Sequence, residues 1–246
     1  MFTGIVEDIG FIKKSPTINS PLLTIVTSLD GIKAGDSVCV QGICLTAVSV
    51  TQTTADSRRG TLREVKFELS PETFSRTIFG RYGFLKNGSR VNLERALEYG
   101  GKNGRLGGHF VSGHVDDVGY IRTIRRYRRR AGDSLVIGIK SPSMKYLFLK
   151  GSVAVDGVSL TVSGVDERRK IFYVTLVSHT IKHTTFNFMK NNQPVNLEYD
   201  LLAKYCAGVV PALPREPSEK DENSVGEKPH NYSLIKEKLK DAGFEI

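Results

Sequence analysis

The same sequence blocks occur twice in this chain, in the same order, and this internal repeat constrains the fold more than any other feature. The matching blocks are residues 3–12 with 112–121, 37–46 with 152–161, 72–77 with 179–184, and 91–94 with 195–198. Chance similarity would not keep four blocks in order. We therefore predict a tandem duplication of domains about 100 residues long, each with its own core. The expected domains are residues 1–97 and 98–202, followed by a C-terminal segment, residues 203–246.

Within each copy, apolar residues alternate or form short blocks bounded by Gly, Asn, Asp and Ser, a pattern typical of β-strands. In the first copy we predict strands at residues 22–26, 38–40, 43–50, 65–69 and 91–93. Gln41-Gly42 and Asp156-Gly157 lie between paired strands, where tight hairpins need residues that tolerate positive φ. Short helical turns are predicted at residues 70–74 and 143–146. The pattern predicts an all-β fold, with one small barrel in each copy.

The composition excludes disordered and fibrous proteins, because 39% of the residues are hydrophobic and 25% are charged. No apolar run approaches the roughly 18 residues of a membrane-spanning helix, and residues 1–7 do not resemble a signal peptide. The cysteines Cys39, Cys44 and Cys206 lack the spacing of a disulfide scaffold or a structural zinc site. We expect a soluble cytoplasmic protein with no membrane partner and no metal.

The net charge of +9 depends largely on six arginines between residues 122 and 130. Such a run can bind a phosphate backbone. However, strand-like residues flank it on both sides, at 120–121 and 134–137, and no nucleic-acid-binding motif accompanies it. We interpret the run as a solvated hairpin loop and expect no nucleic-acid partner.

The C-terminal segment departs from the repeat. Residues 201–210 predict a short helix that ends before Pro211 and Pro214. Residues 215–230 are charged and poor in apolar residues, which indicates a flexible linker. Residues 231–243 predict a second short helix with one apolar face. That face either packs on its own barrel or contacts another subunit.

No Gly-rich phosphate loop, Ser-His-Asp pattern or metal cluster is recognisable. The glycines between residues 100 and 108 lack a surrounding βαβ unit, which argues against a dinucleotide-binding fold. His109 and His114 have a spacing that points side chains on a strand to opposite faces, and buried hydrogen-bonding histidines are the simpler interpretation.

Cys44 and Ser159 are more informative, because they occupy equivalent positions and each is followed by Leu and Thr. A tight barrel tolerates small residues at such positions. A thiol or hydroxyl repeated beside a threonine would also suit two similar molecules bound in two similar pockets.

The repeated blocks resemble the riboflavin synthase family over residues 1 to about 205. The motifs that carry this resemblance are residues 1–7 (MFTGIVE), 42–46 (GICLT), 107–116 (GGHFVSGHVD), 156–161 (DGVSLT) and 196–200 (NLEYD). The resemblance implies a homotrimer of chains with two six-stranded Greek-key barrels and a C-terminal helix. It also implies the last step of riboflavin biosynthesis, in which one 6,7-dimethyl-8-ribityllumazine transfers a four-carbon unit to another. This transferase needs no cofactor, and its products are riboflavin and 5-amino-6-(D-ribitylamino)uracil.

The reacting pair is expected between the first barrel of one subunit and the second barrel of its neighbour. By resemblance, the first pocket is lined by Gly4, Ile5, Val6, Cys44, Leu45, Thr46, Glu68, Leu69, Ser70, Pro71, Glu72 and Thr73. The second is lined by Gly113, His114, Val115, Ser159, Leu160, Thr161, Thr175, Leu176, Val177, Ser178, His179 and Thr180. Further binding candidates are Ser37, His109 and Lys150, of which Lys150 would reach a ligand in the adjoining subunit.

The resemblance names Phe2, Cys44, His114, Ser159 and Asp200 as catalytic candidates. The reaction requires removal of a proton from the 7-methyl group of one lumazine, and His114 is the expected general base at neutral pH. Cys44 and Ser159 are expected to act as nucleophiles or to position water.

Two features depart from the family pattern. His179 stands where the repeat suggests a glutamate like Glu72, and Pro211 and Pro214 would shorten the helix that forms the trimer. A non-catalytic lumazine-binding protein is the main alternative, but it would be expected to lose the second-copy residues, which are retained. An adaptor that acts through the basic run and the tail has support only outside the repeat.

Overall fold

The computed structural model describes residues 1–53, 61–80, 84–98, 105–128 and 132–209. The first copy forms β1 (Asp8–Lys14), β2 (Leu22–Thr27), β3 (Ser37–Val40), β4 (Ile43–Thr53), β5 (Leu62–Glu68), α1 (Pro71–Arg76) and β6 (Arg90–Arg95). The second forms β7 (Asp117–Tyr127), β8 (Ser134–Lys140), β9 (Ser152–Val155), β10 (Val158–Asp166), β11 (Ile171–Val177), α2 (Ser178–Lys182), a 3-10 helix (Thr185–Phe188) and β12 (Pro194–Tyr199). Helix α3 (Leu201–Val209) follows β12.

Each copy closes into a six-stranded antiparallel barrel, and the two barrels have the same strand order. The order is β1-β2-β5-β4-β3-β6 in the first barrel and β7-β8-β11-β10-β9-β12 in the second. Strand β2 pairs with β5 rather than with β3, which makes the connection a Greek key. The expected fold class, a tandem pair of six-stranded Greek-key barrels followed by a helical segment, is confirmed.

Side chains that point inward from the strands fill the two barrels, and the residues between them point outward. In β4, the side chains of Ile43, Leu45 and Ala47 are buried in the core, whereas Thr46 and Val48 face outward. The second barrel has a separate core that includes Ile137 and Phe172. Closure also leaves neither barrel with an unpaired strand edge.

The duplication extends to irregularities in the strands. The register shifts between residues 12 and 14 in β1 and between residues 121 and 123 in β7. It shifts again between residues 47 and 49 in β4 and between residues 162 and 164 in β10. Bulges increase the local bend of a strand, so equivalent bulges curve the two barrels in the same places.

The hairpins after β3 and β9 are confirmed as tight turns with positive φ at both central residues. The φ angles are 51° and 85° at Gln41 and Gly42, and 49° and 79° at Asp156 and Gly157. This combination matches the twist of the flanking strands.

The helix predictions had mixed outcomes. Helix α1 begins as expected, because the Ser70 side chain accepts a hydrogen bond from the Thr73 backbone and Pro71 suits the first turn. The prediction for residues 143–146 is wrong: the chain makes a single turn there, and Tyr146 packs on the Tyr199 ring at 5.4 Å.

Helix α3 is confirmed as a short helix after the second barrel. The predicted linker at residues 215–230 and the predicted helix at residues 231–243 lie outside the described residues.

The arginine-rich run was expected to be a hairpin loop, and this is corrected in part. Strand β7 continues to Tyr127, so Arg122, Arg125 and Arg126 lie on a strand rather than in a loop. Arg122 donates a hydrogen bond to the Asn192 side chain at 2.8 Å. The run therefore contacts its own barrel through at least one arginine.

None of the helices in the described ranges is long and apolar enough to span a membrane.

The two barrels contact each other through equivalent residues. Asn92 Nδ2 donates to the Asp156 carbonyl at 3.0 Å, and Asn196 Nδ2 donates to the Gln41 carbonyl at 2.9 Å. Because Asn92 and Asn196 are repeat equivalents, the contact has approximate two-fold symmetry. Phe2 is completely buried in a small apolar cluster beside it, with Cys39, Val111 and Ala154.

Asp156 breaks the symmetry of this contact, because its equivalent, Gln41, carries no charge. The Asp156 side chain is fully buried, and Oδ1 accepts a hydrogen bond from the Asn196 backbone at 2.8 Å. Burial raises the pKa of Asp156 to about 8, against hydrogen bonds that favour the carboxylate. The folded state thus holds a proton that the unfolded chain releases near pH 4. The free energy of unfolding should therefore fall as pH rises from about 4 to about 8.

Replacement of Asp156 by asparagine is expected to remove this pH dependence, because an amide has no proton to release. Asparagine also tolerates the positive φ at this position. At pH 8 the Asp156→Asn variant should gain about 1–3 kcal/mol of unfolding free energy. Urea unfolding of both proteins at pH 5 and pH 8 measures the effect. An equal stability difference at the two pH values would contradict the assignment of the proton to Asp156.

Candidate active site

A cavity of about 940 Å³ opens on the first barrel. Eight of the residues assigned to the first pocket line it: Cys44, Leu45, Thr46, Glu68, Leu69, Ser70, Pro71 and Thr73. Glu72 lies on the exposed side of α1 and does not line it, and Ser37 pairs with Thr46 across the strands. The cavity is thus built from β4, the end of β5 and the beginning of α1.

Six lining residues were missed by the sequence analysis: Ile18, Pro21, Val48, Phe74, Ser75 and Gly80. Val48 continues the outward-facing alternation of Cys44 and Thr46, so the strand period alone would have identified it. The other five lie in the β1–β2 connection, in α1 and after α1. No periodicity in the sequence relates those segments to β4.

The outward-facing residues of β4 and β10 have equivalent positions in the two barrels. Cys44 is half-buried and Thr46 is exposed, and the same is true of Ser159 and Thr161. This arrangement explains why polar residues interrupt apolar strands in both copies: they lie on the outer face of a barrel whose interior is apolar.

The structure corrects the assignment of two segments to the two pockets. The carbonyl of Gly4 accepts a hydrogen bond from the Ser159 backbone at 2.8 Å, and that of Gly113 accepts one from the Cys44 backbone at 2.9 Å. Val6 likewise packs against the core of the second barrel, and Val115 packs against the core of the first. The loop beside Cys44 on the first barrel therefore comes from the second repeat, and the loop beside Ser159 on the second barrel comes from the first repeat.

Both crossing segments depend on a glycine. The φ angles are +75° at Gly4 and +80° at Gly113. A Cβ atom on Gly113 would lie 2.6 Å from the Cβ of Cys44, and one on Gly4 would lie 2.6 Å from the Cβ of Ser159. The close approach of the two repeats thus requires glycine for its conformation and for its size.

His109 and Ser159 form a hydrogen-bonded pair, with 2.7 Å between Nδ1 and Oγ. His109 Nε2 is buried and forms no hydrogen bond with any described residue. Burial lowers the pKa of His109, and the negative charge of Asp200 opposes this shift. The imidazole is therefore predominantly neutral at pH 7 and able to accept a proton.

His114, the expected general base, has a different position. It follows Gly113, next to Cys44 at the first barrel, and its side chain is exposed. The structure thus places a histidine near each of the two equivalent strand residues. Only His109 has a side chain bonded to a catalytic candidate.

The remaining candidates are distributed as follows. Phe2 is buried between the barrels, and Asp200 Oδ1 accepts a hydrogen bond from the Leu202 backbone at the start of α3. Ile5 and Val177 are exposed, whereas Leu160 and Leu176 lie in the core of the second barrel. Lys150 lies at a turn, with a φ of 68°. Thr175 donates to Ser163, Ser178 donates to the Asp133 carbonyl, Thr180 accepts at its carbonyl from Thr184, and His179 stacks on His183 at 4.1 Å.

A smaller cavity of about 400 Å³ opens on the second barrel. Its lining residues are Arg126, Gly132, Asp133, Ser178, Ile181, Lys182 and Asn187, of which only Ser178 was expected from the sequence. By repeat equivalence, Ser178 and Ile181 correspond to Pro71 and Phe74 of the first cavity. The two cavities therefore share the helix that follows β5 or β11, but the second one contains no residue of β10 and does not reach Ser159.

Histidine, cysteine and carboxylate side chains do not form a group of three suited to a metal ion anywhere in the described ranges. The groups available at the site for chemistry are the His109–Ser159 pair, the Cys44 thiol and the hydroxyls of Thr46 and Thr161. These can transfer protons and bind a polar ring.

Comparison with known proteins gives a consistent result. The family model described as lumazine binding domain matches residues 3–96 and residues 112–200. A riboflavin synthase of Photobacterium phosphoreum is 41% identical over 226 residues, which cover 89% of this chain and 93% of that protein. A riboflavin synthase of Actinobacillus pleuropneumoniae is 37% identical and covers 99% and 100%, and one of Bacillus subtilis is 39% identical and covers 83% and 87%.

Solved structures of similar fold include that of LumP complexed with 6,7-dimethyl-8-(1'-D-ribityl) lumazine. It superimposes with a TM-score of 0.61 at 24% sequence identity, over 80% of this chain and 98% of that one. A structure of LumP complexed with riboflavin has the same TM-score at 22% identity. At this level of identity the likeness supports the fold alone.

Proposed function

Because this chain belongs to the riboflavin synthase family and contains the lumazine-binding domain twice, we propose that it catalyses the dismutation of 6,7-dimethyl-8-ribityllumazine. One molecule transfers a four-carbon unit to the other, which yields riboflavin and 5-amino-6-(D-ribitylamino)uracil. The enzyme is a transferase and acts without a cofactor.

The observation that carries this proposal is the pair of equivalent sites. Cys44 with Gly113 and Ser159 with Gly4 have the same backbone geometry, one on each barrel. A reaction between two identical molecules needs two related sites. Holding both molecules in fixed positions also converts their encounter into a proximity-driven step.

The proton chemistry is assigned to the second site. The acidic 7-methyl group of one bound lumazine loses a proton, and His109 is the neutral base that takes it up, either directly or through the Ser159 hydroxyl. Cys44 and Thr46 bind the other lumazine at the first site, and His114 lies where it can contact that ligand.

A homotrimer in the cytoplasm is the proposed assembly, with the first barrel of one subunit facing the second barrel of the next. Large apolar side chains on the second half of the chain support it: Leu202 and Tyr205 on α3 are each 64% exposed, and Leu149 is 60% exposed. Burial of such side chains between subunits would be favourable. Lys150 directly follows Leu149 in the chain, which agrees with a contact across the interface.

The test is an assay with purified protein and 6,7-dimethyl-8-ribityllumazine, with no cofactor added. We expect one riboflavin to form for every two lumazines consumed, and the visible absorbance of riboflavin measures its formation. Binding of lumazine without turnover would instead support a non-catalytic lumazine-binding protein.

A further inference from the structure

Two carboxylates buried at equivalent positions have no role in the proposed chemistry. Glu94 on β6 and Glu198 on β12 are each 5% exposed. Burial raises the pKa of both groups, and the hydrogen bonds that they accept oppose the shift. Buried carboxylates are costly unless they are fully hydrogen-bonded, so their partners indicate what they do.

Glu94 holds the N-terminal segment. Its Oε1 accepts hydrogen bonds from the backbone and the hydroxyl of Thr3, each at 2.7 Å, and its Oε2 accepts one from the Gly4 backbone at 3.0 Å. Charge-assisted bonds of this kind are stronger than neutral ones. Three of them fix the orientation of the Gly4 peptide.

Glu198 repeats this arrangement with the segment between the barrels. Its Oε1 accepts from the Ser112 backbone at 2.6 Å and from the Ser112 hydroxyl at 2.7 Å, and its Oε2 accepts from the Gly113 backbone at 2.9 Å. The two clamps are therefore equivalent in every contact.

Each clamped glycine reaches the barrel that does not contain its own carboxylate. Gly4, held by Glu94 of the first barrel, accepts the hydrogen bond of the Ser159 backbone on the second. Gly113, held by Glu198 of the second barrel, accepts that of the Cys44 backbone on the first. Loss of either carboxylate would thus release the loop beside the opposite site.

We infer that Glu94 and Glu198 are positioning residues that act crosswise: Glu198 shapes the first site, at Cys44, and Glu94 shapes the second, at Ser159. The inference rests on the proposed function for the identity of the ligand. It also gives a physical reason for keeping both repeats in one chain, since neither barrel builds its site alone.

The crosswise arrangement can be tested because Cys44 lies in the first cavity and reports on it directly. Cys39 is buried and its thiol pKa is raised well above its ordinary value by burial, so it should react slowly with alkylating agents. Cys206 is exposed, and the Cys206→Ser variant serves as the parent protein. The rate at which iodoacetamide modifies Cys44 is then measured with and without riboflavin, the product, as a ligand that is not consumed.

In the parent protein riboflavin should slow the modification of Cys44. The Glu198→Gln variant should need at least about tenfold more riboflavin for half-protection, since it loses the charge-assisted bonds to Ser112 and Gly113. The Glu94→Gln variant should stay within about twofold of the parent in this measurement, although both variants should have lower kcat/KM. Gln is nearly isosteric, and the two substitutions remove equivalent bonds, so a general loss of stability would affect them alike.

A larger effect of Glu94→Gln than of Glu198→Gln on Cys44, or equal effects, would overturn the inference. The milder pair Ser112→Ala and Thr3→Val, which removes one hydrogen bond from each clamp, gives the same comparison if a glutamate variant does not fold. If riboflavin failed to protect Cys44 even in the parent, the proposed ligand site would be in error. The crosswise inference would then be judged on the unliganded modification rate, which Ser112→Ala and Glu198→Gln should change and the Thr3 and Glu94 variants should not.

Discussion

Replacement of Gly113 by alanine is expected to lower the free energy of unfolding by about 2–5 kcal/mol and to abolish ligand binding at the first site. The added Cβ would lie 2.6 Å from Cys44 Cβ and 2.7 Å from the Cys44 backbone nitrogen. Since part of this clash is with backbone, a side-chain rotation cannot relieve it. The hydrogen bond between the two residues would break, and β4 or the crossing segment would have to move. Chemical denaturation and equilibrium binding of riboflavin measure the two effects.

Gly88 provides the matched control for this prediction. It has a φ of +85°, close to the +80° of Gly113, but a Cβ there would meet no atom of the described residues within 4 Å. Gly88→Ala therefore carries the backbone strain without the clash and should cost only about 1 kcal/mol. If the two variants were equally destabilised, strain alone would explain the effect, and the close contact between Gly113 and Cys44 would not be important.

Replacement of His109 by glutamine is expected to lower kcat about 100-fold with a smaller change in KM. His109 is the histidine whose side chain is bonded to Ser159, and burial keeps it neutral by lowering its pKa. The wild-type enzyme should consequently retain activity somewhat below pH 6.5, where an ordinary histidine becomes protonated. In the glutamine variant, the fall in activity on the acid side of the pH profile should disappear, because the protonation of His109 no longer contributes to it. Steady-state kinetics between pH 5 and pH 8 measure both results.

The His114→Gln variant discriminates between the two histidines. We expect it to lose less than about tenfold in kcat, since His114 is exposed and its backbone N–H, rather than its imidazole, donates to the Ser112 hydroxyl. A greater loss than that of His109→Gln would restore His114 as the general base that the sequence suggested. Equal losses would indicate that each histidine serves one of the two reacting molecules.

Much of the fold was predictable because its signals are local. The alternation of residues 43–48 identified β4 and showed which side chains point outward, and Gln41-Gly42 marked the hairpin before it. At residues 143–146 a helical turn was expected, whereas the structure has a single hydrogen-bonded turn with Tyr146 packed against Tyr199. Similarly, the length of β7 was underestimated because charged residues such as Arg122 and Arg125 lie on its solvent-exposed part.

The sequence predicted many residues of the two sites, but it did not predict which loop lies beside which barrel. Repeat equivalence alone linked Cys44 to Ser159, and eight expected residues line the first cavity. The expectation that Gly4 accompanies Cys44 was carried over from the family resemblance. It was wrong because the segments containing Gly4 and Gly113 cross to the opposite barrels.

The sequence by itself determined that the chain contains two copies of one β-barrel domain, which residues face outward from its strands, and where its hairpins turn. These properties depend on the period of a strand and on the φ preferences of a few residues, both of which are short-range. Only the tertiary structure decided that the loops are exchanged between barrels, that His109 contacts Ser159, and that Glu94 and Glu198 hold the exchanged loops. Those contacts join residues 50 to 155 positions apart in the chain. They depend on how the two barrels pack against each other, which no local sequence pattern shows.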